Sequence, residues 1–224
     1  MQRFTVIGLG RFGSRLAANL ANAGQEVIGI DTDQRIIEEM RDRVTLAIAM
    51  DATDEQALRL QGIDQTDVAI VGIGGDFESI AAATVVLKQI GVPRVIARAI
   101  SPTSARILQS IGADEVVNPE DETADRWANR LISPQFIRQF ELDEGHSIVE
   151  IRTPKRWVER SLSELNVRAR ESLHVVAIRR RRDPSDETSP MTIQIPSPEE
   201  PLNADDVLVI MGRDADLAKL RDTK

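Results

Sequence analysis

The chain has 224 residues, of which 42% are hydrophobic and 29% charged, ordinary globular usage that supports one large α/β domain or a medium domain with a smaller one attached. Its net charge of −8 gives an acidic surface that repels phosphate backbones, so nucleic acid is not expected as a partner. Cysteine is absent, which removes a disulfide framework, a zinc–thiolate site and a thiol nucleophile together.

The cytoplasm fits a chain without cysteine, and Met1-Gln2-Arg3 runs straight into an apolar strand without the design of a signal peptide. Residues 4–8 form that strand, and 11–23 follow as a helix with Leu16, Ala17, Leu20 and Ala21 at helical spacing. The cycle recurs at 26–30 with 34–41, and at 44–49 with 55–60. Strand 67–73, helix 77–90 and strand 94–97 come next; Ser101 caps a helix with Pro102 in its first position, which stops near Gly112 before a last strand, 115–117. The runs 68–73 and 80–87 fall short of the roughly 20 apolar residues a membrane-spanning helix needs, so no direct membrane insertion is expected. Six mostly apolar strands alternating with helices predict a parallel sheet covered on both faces, a doubly wound Rossmann arrangement.

Residues 120–140 read as a long helix with apolar Ala124, Trp127, Leu131 and Phe136, interrupted near Ser133-Pro134. Such a helix either crosses to a new lobe, inviting pairing with its copy in another subunit, or simply covers the sheet. Strand 147–151, a short helix at 161–165, strands 173–178, 191–195 and 207–211, and a terminal helix 214–221 then predict a second, smaller α+β domain. Between two of these strands, residues 179–186 begin with four arginines and read as a charged, solvated hairpin loop. The predicted division is therefore a nucleotide-binding domain at 1–119, a crossover helix at 120–138 and the small domain at 139–224.

Directly after the first strand stands Gly8-Leu9-Gly10-Arg11-Phe12-Gly13, opening a helix. Gly8 permits the tight turn, Gly10 lets a diphosphate approach the backbone, Gly13 allows helix and strand to pack, and the first-turn N–H groups, Phe12's among them, hold phosphates. Asp31 closes the second strand, eighteen residues beyond Gly13, where this fingerprint places its ribose ligand. A carboxylate there repels a 2′-phosphate and disfavours NADP; alternatively Asp31, with Thr32 and Asp33, merely caps the next helix. Asp51, in Asp51-Ala52-Thr53 after the third strand, either edges an adenine or caps a helix. Arg11 adds a full positive charge where phosphates collect, which points to a ligand with terminal phosphates; otherwise it is a surface arginine.

A dehydrogenase needs a proton donor or acceptor beside its cofactor. This chain has no tyrosine or cysteine and only two histidines, His146 and His174, both beyond the nucleotide domain. No metal-ligand spacing is present, and binding without turnover is the simpler account. The competing expectation is a stand-alone NAD-dependent oxidoreductase.

With these residues in view, the chain resembles the RCK family, regulators of potassium conductance also called KTN and TrkA-type subunits, and most of all its KtrA-like gating subunits. The resemblance rests on Val6-Ile7-Gly8-Leu9-Gly10-Arg11-Phe12-Gly13, Ile111-Gly112-Ala113-Asp114 and Asn118-Pro119-Glu120 in the first half. In the second it rests on Ser147-Ile148-Val149-Glu150, Leu165-Asn166-Val167-Arg168-Ala169 and Val207-Leu208-Val209-Ile210-Met211-Gly212. It implies a cytoplasmic homodimer assembling into a ring, often an octamer, at the inner face of the plasma membrane. There the ring gates a K⁺ channel or transporter subunit on binding ATP/ADP or NAD(H). By position it makes Arg11 a reader of phosphates, Asp31 the ribose acid, Arg98 a further basic contact and Glu120 an acid that approaches a neighbour's nucleotide or a divalent cation. Arg168 matches a position that in some members contacts cyclic di-AMP, although Ser161-Leu162-Ser163 is less apolar here than in those members.

Overall fold

The computed structural model describes residues 1–132, 135–183, 186 and 188–220, in two compact units, Met1–Glu122 and Thr123–Lys224. In the first, strands and helices alternate in chain order. They are β1 (Arg3–Ile7), α1 (Arg11–Asn22), β2 (Glu26–Asp31), α2 (Gln34–Met40), β3 (Leu46–Ala49), α3 (Glu55–Leu60), β4 (Val68–Val71), α4 (Phe77–Gln89), β5 (Arg94–Arg98), α5 (Pro102–Ser110) and β6 (Glu115–Val117).

The six strands form one sheet in the order β3-β2-β1-β4-β5-β6, every pair parallel. Alternate residues of one strand supply the cores of opposite faces. Val6 packs with Ala17, Ile37 and Met40 of α1 and α2, and Ile7 with Leu58, Ile80, Leu87 and Leu108 of α3, α4 and α5. Burial on both faces explains the unbroken apolar run of β4. The sequence-predicted strands and helices of this half are all present, with ends moved by at most two residues.

Before β6, the Asp114 carboxylate accepts the Val95 backbone N–H at 2.6 Å and the Lys88 ammonium at 2.9 Å, tying three segments together. The Val95 hydrogen bond holds this carboxyl below its usual range, with Lys88 adding to the effect and burial opposing it.

The helix α6 (Pro119–Ile132) crosses from the first unit into the second. The second unit then runs β7 (Phe136–Asp143), β8 (His146–Arg152), α7 (Leu162–Leu165), α8 (Val167–Glu171), β9 (His174–Arg181), β10 (Met191–Gln194), β11 (Val207–Arg213) and α9 (Asp214–Leu217). Its antiparallel sheet has the order β10-β9-β11-β8-β7, with Trp157, Leu173, Leu202, Leu208 and Leu217 packed in its core.

Two expectations are corrected here. Residues 136–138, the end of the predicted crossover helix, belong to β7; Phe136-Ile137-Arg138-Gln139-Phe140 pairs with β8 because Gly145, at φ +88°, closes a hairpin that the helical spacing of Phe136 disguised. The Ser133-Pro134 break lies outside the described residues, as does 221, the last residue of the expected terminal helix.

The arginine run is not a solvated loop either. Arg179 and Arg180 sit in β9, where Arg179 meets the buried Glu150 carboxylate at 2.9 Å and Arg180 pairs with Asp206, only 2% exposed, at 2.6 Å, and with Glu200. Buried carboxylates need such partners, so the strand carries cations.

Acid should report on Asp114. A carboxyl whose folded pKa is depressed contributes stability above its unfolded pKa, and that contribution is lost as pH falls through the folded value. Asp114→Asn should therefore unfold at lower temperature than the parent near pH 7, with the two melting curves converging as pH falls below the usual carboxylate range.

Candidate nucleotide site

The β1–α1 turn is built on two glycines that nothing else can replace. Gly8 stands at φ +83°, and a Cβ there would lie 2.7 Å from the Ile73 backbone nitrogen; a Cβ on Gly13 would lie 1.9 Å from the Gly8 carbonyl oxygen. Gly10 differs, because a Cβ there meets nothing within 4 Å. Its outer side faces open space above the helix end.

Gly10 is also the N-cap of α1 and provides no side-chain hydrogen bond, whereas α2, α3, α4 and α5 are capped by Asp33, Asp54, Asp76 and Ser101. The first-turn N–H groups of α1 are thus left pointing outward with the positive end of the helix dipole. Arg11 is exposed beside them and makes no ion pair or hydrogen bond among the described residues. The Phe12 ring turns inward, against Gly72 and the α1 core, so only its backbone can serve a ligand.

Backbone hydrogen bonds align the carboxyl ends of the strands: Gly8 N–H to Ile30 at 2.8 Å, Met50 N–H to Asp31 at 3.0 Å and Gly72 N–H to Ile7 at 2.7 Å. The candidate residues consequently line one edge of the sheet. Asp31 ends β2, and its carboxylate accepts the Leu9 N–H at 2.7 Å and the Asp33 N–H at 2.9 Å. That ties the glycine loop to β2 and shows Asp33, not Asp31, as the cap of α2. Each carboxylate oxygen keeps a further acceptor site, which suits a hydroxyl-bearing ligand. Thr32 is exposed beside it.

Asp51 follows β3 and accepts both the N–H and the hydroxyl of Thr53, at 2.9 and 2.8 Å; the N–H bond is the first cause of its lowered pKa. It makes a local turn, and Asp54 caps α3. The Ala52 side chain is part of the core, 6% exposed, so it offers a ligand only backbone.

Arg98 ends β5, two strands from β1, roughly 10 Å away at ordinary strand spacing. Its guanidinium is paired with Glu120 in the first turn of α6 and lies against Gly74, whose Cβ would come within 3.2 Å of it. These two residues form a second cluster beside the glycine loop. No group of three or more histidines and carboxylates is placed to hold a metal among the described residues. Arg168, exposed on α8, makes no ion pair or hydrogen bond among them.

Sequence reasoning missed Gly72-Ile73-Gly74-Gly75, which follows β4 and closes the other side of the crevice. The site of a Gly72 Cβ is 3.4 Å from the Gly8 carbonyl oxygen, and Gly75 stands at φ +86°. The signal was a glycine-rich stretch directly after an apolar strand, as at Gly8.

A parallel sheet of this order, with an uncapped glycine turn at the β1–β4 switch point and an acid closing β2, defines a nucleotide-binding domain of the doubly wound class. The TrkA-N domain description matches residues 4–119 and the TrkA-C domain description residues 146–224. The chain belongs to the RCK family, as a KtrA-like member with both domains.

The Ktr system potassium uptake protein C of Bacillus subtilis (strain 168) is 32% identical, over 97% of this chain and 95% of that protein. The solved GsuK RCK domain is 25% identical with a TM-score of 0.56, covering 97% of this chain and 45% of that one. The GsuK structure bound to ADP is 30% identical with a TM-score of 0.51, covering 58% of this chain and 34% of that one. This chain thus spans less than half of the GsuK chains it matches. No helix among the described residues is long and apolar enough to cross a membrane.

The two helix-facing glycines should separate experimentally. Gly13→Ala forces backbone apart and should cost about 3 kcal/mol, at the upper end for overpacking, seen as a large fall in melting temperature. Gly10→Ala should leave the melting temperature nearly unchanged.

Proposed function

We propose that the chain is a cytoplasmic regulatory subunit, not an enzyme, that binds ATP/ADP or NAD(H) at the carboxyl edge of its parallel sheet. With further copies it assembles into a ring, and through that ring it gates a membrane K⁺ channel or transporter. The observation that carries the reading is the α1 N-terminus: uncapped, open at Gly10, with a free arginine beside it and Asp31 anchored one strand away.

The first-turn N–H groups and Arg11 hold phosphates, and Asp31 takes a ribose hydroxyl with Thr32 and the Asp51 turn alongside. Arg11 reads the terminal phosphate, and Arg98 adds a further basic contact at the far side of the crevice when Glu120 releases it. Bound nucleotide supplies charge here, with no bond made or broken. Residues 1–119 are then the sensor, α6 the connector and the antiparallel unit the effector.

The Ktr potassium uptake relative, matched along nearly its whole length, supports the transport role, and the ADP-bound GsuK structure supports an adenine nucleotide as ligand. Assembly is supported by α6, whose Trp127, Leu131 and Ile132 are 53%, 73% and 67% exposed, an apolar stripe that a further copy covers. The histidines are exposed and belong to the second unit, with His146 bonded to Asp143.

Calorimetric titration of nucleotide-stripped protein should give binding of ATP, ADP and NADH and weak binding of NADPH; no binding, or turnover of the dinucleotide with a small alcohol or acid, would overturn the proposal. Asp31→Ala should weaken every ribose-bearing ligand by about 1.5–3 kcal/mol, the worth of a charge-assisted acceptor.

Arg11→Ala should weaken binding moderately and collapse the ATP-over-ADP difference, both in affinity and in K⁺ flux through the partner pore reconstituted in vesicles. Lysine restores only part of it, lacking the planar fork.

A further inference from the structure

We infer that the groove between α6 and β7 is a binding site for a small organic phosphate with a flat apolar body, held by Arg126 and Arg130 of the helix and Arg138 of the strand. The groove has a volume of about 540 Å³, and its lining lies within the second unit. That is room for a small organic molecule. Phe136, 7% exposed, gives it an apolar wall, and Phe140, 55% exposed, presents a ring on which a flat group can stack.

Its three arginines set it apart. Elsewhere in this unit Arg156, Arg179, Arg180 and Arg213 each meet a carboxylate within 3.0 Å. In the groove none hydrogen-bonds a carboxylate among the described residues. Arg126 reaches the Thr123 hydroxyl at 3.4 Å, and Arg130 lies 5.1 Å from the centre of the Trp127 ring. Arg138 approaches Glu150 only to 3.9 Å, and Glu150 is already bonded to Arg179 at 2.9 Å. Arg126 and Arg130 also stand four residues apart on one face of α6, where like charges repel. Three cations around one cavity oppose the helix that carries two of them, and a bound anion removes that cost.

Charge balance sets the ligand. Glu141 is the one carboxylate lining the groove among the described residues, so the three guanidiniums leave an excess of two positive charges. A phosphate monoester, at about −1.5 to −2 near pH 7, cancels that excess, whereas a monocarboxylate cancels half of it. Guanidinium forks match phosphate oxygens two at a time. The net charge of −8 repels an extended polyanion, but not a small one seated among the arginines. Trp127, Leu131 and Ile132 do not line the groove, so filling it leaves the apolar stripe of α6 uncovered. A ligand gripped by helix and strand at once fastens α6 to the small sheet.

Tryptophan supplies the readout. The chain has two, Trp127 beside Arg130 and Trp157 buried in the core of the second unit, and none in the nucleotide-binding unit. Phenyl phosphate, inorganic phosphate and benzoate are titrated into the full-length protein, with affinities read by tryptophan emission and by calorimetry. Phenyl phosphate should change the emission saturably and bind about tenfold or more tighter than either of the others. Trp127→Phe should abolish the emission change. Arg130→Gln and Arg138→Gln should each weaken phenyl phosphate by about tenfold or more. Both side chains are exposed, and unchanged melting curves establish that the variants fold. Arg11→Ala should leave the affinity as it is.

No saturable response to phenyl phosphate overturns the proposal, as does an equal response to all three anions, which reports screening alone. Unchanged affinity in the two folded arginine variants also overturns it. Loss of binding in Arg11→Ala instead puts the phosphate at the nucleotide edge, so that this site falls while the nucleotide reading stands.

Discussion

Everything at the nucleotide edge depends on how closely α1 approaches the end of β1. The Gly8 carbonyl occupies the place where any side chain at Gly13 would begin, so the helix can start there only with a bare Cα. That approach brings the uncapped N–H groups of the first turn to the edge of the sheet and sets Leu9 where its N–H reaches Asp31. The remaining strand ends are indexed to the same turn through Ile30, Ile7 and the Asp31 carbonyl. Two glycines therefore fix the position of residues that lie far apart in sequence, and the Gly72 loop repeats the device on the opposite wall.

The second unit solves a different problem. Its sheet buries Glu150 and Asp206, and each is matched by an arginine on β9 that reaches it from the neighbouring part of the sheet. Removing one member of such a pair leaves a buried charge alone, at a cost of about 3–5 kcal/mol. Among the described arginines of the run, Arg179 and Arg180 thus belong to the architecture, and Arg180 is held firmly protonated, its pKa raised first by the Asp206 hydrogen bond.

The parallel sheet was fully legible in the sequence because each strand is short, apolar and followed by its own turn chemistry, and because the glycine spacing, Asp31 and the Ser101-Pro102 start are local signals. What was hidden was long-range. Helical periodicity carried Phe136 into the predicted helix, since an apolar residue at that spacing fits both a helix face and a strand that alternates. The Gly145 turn and the cross-strand partner in β8 decided the matter. The arginine run looked solvated because its acidic partners stand 29 and 26 residues away. The Arg98–Glu120 pair was invisible for the same reason; each residue was singled out, but their contact is made by neighbouring strand ends.

The connector α6 has one further consequence. Its described side chains from Glu120 onward all face water, and a helix of fourteen residues without tertiary packing is only marginally stable. Its stiffness is therefore not set by its own residues alone. The acidic first turn and Arg130 in the last favour the helix through its dipole, but lasting rigidity comes from whatever covers Trp127 and Leu131. A helix of this kind is only as firm as whatever packs on its apolar stripe, and left bare it frays toward coil.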